Sequence, residues 1–93
     1  MNEQLFTQIS QIVSKYKMLA ITHRKDSVLF IQSTRMKRIH NFERAIIALL
    51  RPNGLELVLF NGGDGVDYYI TPKGLFDYGI SIEYATYNMT KIN

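Results

Sequence analysis

His23 and His40 are the only imidazoles in the chain, and neither has a partner at a metal-ligand spacing. Cysteine is absent, which removes disulfides, thiolate nucleophiles and cysteine-ligated zinc. The carboxylates are scattered. Asp64 and Asp67 lie near each other, but the loop pattern of an EF-hand is missing. No Ser-His-Asp series or nucleophile elbow is visible. Asn61-Gly62-Gly63-Asp64-Gly65 has the glycines of a phosphate cradle. It lacks a following lysine and helix and contains an acid, so it reads as a hairpin turn. These features point away from an enzyme and imply neither cofactor nor metal.

What the chain does carry is unevenly placed charge. Lys15, Lys17, Arg24, Lys25, Arg35, Lys37, Arg38, Arg44 and Arg51 face only Asp26 and Glu43, which makes residues 15–51 +7. Lys73 and Lys91 face Glu3, Glu56, Asp64, Asp67, Asp77 and Glu83, which makes the remainder −4. The middle of the chain is where a polyanion is attracted. A solvated surface is the plain reading of the same pattern.

Ninety-three residues, 46% hydrophobic and 20% charged, make one domain with a modest core. A homodimer is therefore expected. No apolar run reaches the ~18 residues of a membrane span, and the start lacks the pattern of a signal peptide. A cytoplasmic location and no membrane partner are the expectations.

The elements that position these residues follow from periodicity. Leu5, Phe6, Ile9, Ile12, Val13 and Tyr16 fall on one helical face, which predicts a supporting helix within 1–17. Val28-Leu29-Phe30-Ile31 fits a strand by its β-branched and aromatic content. It also fits a helix capped by Asp26 or Ser27. Periodicity alone does not settle a run this short. Phe42, Ile46, Leu49 and Leu50 predict a helix over 41–51, with Asn41 as N-cap and Pro52-Asn53-Gly54 as its stop. Leu55, Leu57 and Leu59, the glycine loop, and Tyr68 and Ile70 predict a hairpin over 55–71. Thr71-Pro72 suits the opening of a short helix. The tail to Asn93 is a helix, strand or dimer arm. It is rich in tyrosine, a residue suited to interfaces.

Two phrases resemble the winged helix-turn-helix family of DNA-binding domains. One is Ser33-x-x-Met36-x-x-Ile39 followed by Leu50-x-x-x-Gly54-Leu55; the other is Tyr68-Tyr69-Ile70-Thr71-Pro72-Lys73-Gly74-Leu75. The match covers roughly residues 27–78. It departs from the family at Lys37, where a turn glycine is common, and at Glu43, where an inward apolar residue is usual. The wing tip is acidic where the family carries Arg or Lys.

The resemblance implies an α+β, winged-helix-like fold in a single domain, residues 1–93. Its parts would be an N-terminal supporting helix at 1–17, a helix-turn-helix at 27–51, a two-stranded wing at 55–71 and a C-terminal helix or arm at 72–93. It implies a transcription regulator that occupies double-stranded DNA, reading the major groove with the helix at about 41–51. Asn41 would pair with adenine and Arg38 or Arg44 with guanine. Arg35, Lys37 and His40 would hold phosphates.

The second reading is a non-enzymatic protein-binding module or inhibitor with the order αββαββα. It would act through the acidic hairpin and the tyrosine-rich tail. The state of Val28 to Arg35 discriminates: a helix supports the DNA reader, a strand supports the protein binder.

Overall fold

In the computed structural model, which describes residues 1–25, 28–61, 66–74 and 89–91, the chain is α+β. The elements are α1 (Glu3–Val13), β1 (Leu19–Lys25), β2 (Val28–Ser33), α2 (His40–Leu50), β3 (Leu55–Asn61), β4 (Val66–Pro72) and the short β5 (Met89–Lys91). The strands form one antiparallel sheet in the order β1-β2-β4-β3-β5. Among the described residues, no helix is long and apolar enough to cross a membrane.

The helix expected within 1–17 is α1. Asn2 caps it, its Oδ1 accepting the Leu5 N–H at 2.7 Å. Leu5, Ile9 and Val13 are its buried stripe. It stops at Val13, where Ser14 turns its hydroxyl onto the Gln11 carbonyl at 2.9 Å. That bond gives the chain a local alternative to another helical turn. Arg24 then clasps the helix start to β1. Its guanidinium lies 4.1 Å from the Phe6 ring centroid and pairs with Glu3 at 2.8 Å.

Residues 28–33 are a strand, which corrects the helix-turn-helix expected over 27–51: that segment holds one strand and one helix. The winged-helix order is not what the chain builds. The physical reason lies far along the sequence, in β4. Leu29, Phe30 and Ile31 sit opposite Ile70, Tyr69 and Tyr68, and β1 pairs on the other side. Flanked by two strands, 28–33 satisfies its backbone groups on both edges. Leu29 and Ile31 point to the helices at 0% exposure, while Val28 and Phe30 lie on the second face, half-buried.

The hairpin expected over 55–71 is present as β3 and β4, in register from Leu55↔Pro72 to Asn61↔Val66. It is no protruding wing. β4 lies inside the sheet, between β2 and β3, and Tyr68 to Thr71 are almost wholly buried. Tyr68 and Ile70 join the core against Phe42, Ile46 and Leu50. Tyr69 lies on the second face, its ring 4.8 Å from that of Phe30. Thr71, expected to cap a helix, is a strand residue. Lys73 and Gly74 turn the chain, with Gly74 at φ 85, a conformation that favours glycine. The helix or arm expected over 72–93 lies outside the described residues, apart from this turn and β5.

The Thr71 hydroxyl is buried and finds no hydrogen-bond partner among the described residues. An unsatisfied buried hydroxyl costs free energy that an isosteric methyl does not. Thr71→Val should therefore raise the free energy of unfolding by about 1 kcal/mol in urea denaturation. A loss of that size would show that the hydroxyl is satisfied.

Candidate interaction site

The basic run leads into α2, and the structure divides its members sharply. Glu43 lies in the first turn of α2 with a side chain only 4% exposed. Arg38 grips it with two hydrogen bonds, Nε to Oε2 at 3.1 Å and Nη2 to Oε1 at 2.6 Å. The Tyr68 hydroxyl donates to Oε2 at 2.7 Å and accepts the Ile39 N–H at 2.9 Å. His40 Nδ1 lies 3.7 Å from Oε1. One carboxylate thus ties a loop, a helix and the middle strand of the sheet together.

Burial alone pushes the Glu43 carboxyl up. The hydrogen bonds from Arg38 and Tyr68, with the nearby positive charge of Arg38 and His40, outweigh it and hold the group below the usual carboxylate range. For Tyr68, burial is the main cause of a hydroxyl pushed up and kept neutral, so it donates to Glu43 throughout the ordinary pH range.

Residues 34–39, between β2 and α2, are held by backbone hydrogen bonds at both ends, at Thr34 and Arg35 and again at Ile39. Asp67 Oδ1 accepts the Ser33 N–H at 2.8 Å, and the Met18 carbonyl accepts the Thr34 N–H at 2.9 Å. The Ser33 hydroxyl accepts the Arg35 N–H at 3.0 Å, and the Arg35 carbonyl accepts the Val66 N–H at 3.3 Å. Arg38 and Ile39 are fixed as above. Between these pins, Arg35, Met36 and Lys37 point outward. Met36 is 66% exposed, the large hydrophobic side chain most open to solvent among the described residues.

The six residues expected to contact DNA therefore fall into two groups. Arg38 is engaged by Glu43, and Asn41 accepts a hydrogen bond from Arg44, so these three already have partners. Arg35, Lys37 and His40 are exposed, as are Asn41 and Arg44. Asn41 is not the N-cap. The helix starts one residue earlier, behind Ile39, with no side-chain cap. Asp67, assigned to an acidic hairpin, anchors the Ser33 N–H instead. Asp64 lies outside the described residues. The pairing of Arg38 with Glu43, and of Glu43 with Tyr68, is what sequence reasoning missed. The one signal for it was an acid at an inward position of an amphipathic helix, which calls for a buried cation or donor.

No group of three or more His, Cys, Asp or Glu side chains suited to a metal ion occurs among the described residues.

Glu43→Gln should lower the free energy of unfolding at neutral pH by about 2 kcal/mol, the scale of hydrogen bonds to a buried charge. The pH dependence carries a definite sign. With the folded pKa depressed, the unfolded chain binds the proton more tightly, so stability rises with pH. The contribution is complete above the unfolded pKa of about 4.3. It is lost as pH falls through the lower folded value. Urea titrations from neutral to acid pH should therefore show a shallower acid decline for Glu43→Gln than for the wild type. Parallel declines would remove Glu43 from this role.

No protein-family model, no curated protein and no solved structure matches this chain, so what the site does is read from its own geometry.

Proposed function

We infer that the chain is a non-enzymatic binding module whose docking element is the loop 34–39, and that it takes an acidic protein surface with an apolar residue at its centre. The observation that carries this is exposed Met36 between Arg35 and Lys37, on a loop pinned from both ends. An exposed thioether is an adaptable apolar contact. Two flanking cations steer an acidic partner and set its orientation. A loop already fixed loses little conformational freedom on docking, so more of the contact energy appears as affinity. The strand at 28–33 also supports the protein-binding reading, in the order αββαββ. Of the acidic hairpin and tyrosine-rich tail expected for that reading, Asp67 is engaged and Tyr68 and Tyr69 are buried, while Asp64, Tyr78, Tyr84 and Tyr87 lie outside the described residues.

A second reading is supported by a separate observation. Arg35, Lys37, His40, Asn41 and Arg44 are all exposed along one run, beside a helix start without a side-chain cap. Phosphates of double-stranded DNA suit such a surface, and a regulator could act through that occupancy. Contact would then come from loop and helix start, without a preceding helix to lay α2 in the major groove.

Fluorescence anisotropy separates the two. The probes are a random glutamate–tyrosine copolymer, polyglutamate, and mixed-sequence duplex DNA, each at ~50 mM salt. The copolymer should bind more tightly than polyglutamate. Met36→Ser should erase about tenfold of that preference, equivalent to a hot-spot contribution of ~1.4 kcal/mol. Equal binding of copolymer and polyglutamate would overturn the protein reading. Duplex binding that falls with salt and with Arg35→Ala, Lys37→Ala or Arg44→Ala would establish the second.

A further inference from the structure

We propose that Met36 is a reversible oxidation site that switches the docking loop off; this rests on the protein-docking reading above. Met1 and Met18 are both partly buried against the core. Met36 stands 66% exposed. Oxidation of methionine depends on access to the sulfur, so a dissolved peroxide reaches Met36 ahead of those two.

The reaction is an oxygen transfer. A lone pair of the Met36 sulfur attacks one oxygen of hydrogen peroxide; an S–O bond forms as the O–O bond breaks, and water leaves. The sulfur is oxidised by two electrons and the peroxide reduced by two. Reversal consumes two thiols, which become a disulfide as the sulfoxide oxygen departs as water. Methionine sulfoxide reductases catalyse that return.

Two features turn this chemistry into a switch. The sulfoxide is a strong hydrogen-bond acceptor that must be stripped of water to enter an apolar pocket, so docking weakens. The loop's own supports do not involve the Met36 side chain: they run through Ser33, Thr34, Arg35, Arg38 and Ile39. Oxidation therefore changes the docking surface and leaves the fold in place. An oxidised core methionine would instead disrupt packing.

The test uses the intact chain, treated with hydrogen peroxide and followed by peptide mapping, thermal denaturation and binding to the glutamate–tyrosine copolymer. Met36 should gain one oxygen before Met1 or Met18, with the thermal midpoint unchanged. Copolymer affinity should fall about tenfold and return after treatment with methionine sulfoxide reductases and dithiothreitol. Earlier oxidation of Met1 or Met18, or an oxidised Met36 that binds as the reduced form does, overturns the proposal and leaves the docking reading standing. Reduced protein that binds copolymer no better than polyglutamate overturns the docking reading, and the switch with it. Met36→Leu carries no sulfur at this position, so whatever affinity it retains should be insensitive to peroxide. Persistent sensitivity in that variant also counts against Met36.

Discussion

A carboxylate removed from water is the constraint around which this fold is assembled. Glu43 sits on the inward side of α2 beside Phe42 and near Ile46, positions that are otherwise apolar. A buried charge without partners is costly enough to unfold a small domain, so its surroundings are dictated. Arg38 supplies the countercharge from the loop, and Tyr68 supplies a hydroxyl from the central strand. The same hydroxyl takes the Ile39 N–H, which fixes where α2 begins. Helix, loop and sheet are registered against one another by a single polar centre. An apolar residue at 43 would pack well there but would not dictate the path of the loop.

That arrangement explains why a basic run is not a uniform basic surface. Arg38 is committed to Glu43, and its side chain stays 43% exposed as it reaches from the loop to that interior acid. Arg35 and Lys37, its neighbours, pair with no acid among the described residues and are exposed. A helix through the same residues would have spread them around its circumference.

Much of the fold was legible from residue patterns. The stripe of Phe42, Ile46 and Leu50 marked α2, and alternation about a glycine loop marked β3 and β4. Val28 to Ile31 was ambiguous because a short apolar run satisfies either period. Its conformation is decided by β4, which offers a partner edge that no local window contains. The winged-helix phrases misled for a related reason. Tyr68-Tyr69-Ile70-Thr71 has the composition of a wing strand, but burial of both its faces identifies a central strand. The site was half legible. Charge singled out residues 35–44, yet which cations remain outward depended on the depth of Glu43, and depth is a tertiary property.

The irregularity in β1 bears on how copies of this protein meet. β1 forms one edge of the sheet, and its pairing with β2 slips between Ile21 and His23. Before the slip, the Met18 carbonyl accepts the Thr34 N–H, and Leu19 and Ile21 turn toward the core while Ala20 is exposed. After it come His23, Arg24 and Lys25, all exposed. An edge that is kinked and cationic is a poor template for another strand. This edge therefore resists growing the sheet by pairing strand to strand, the route by which β-rich chains polymerise.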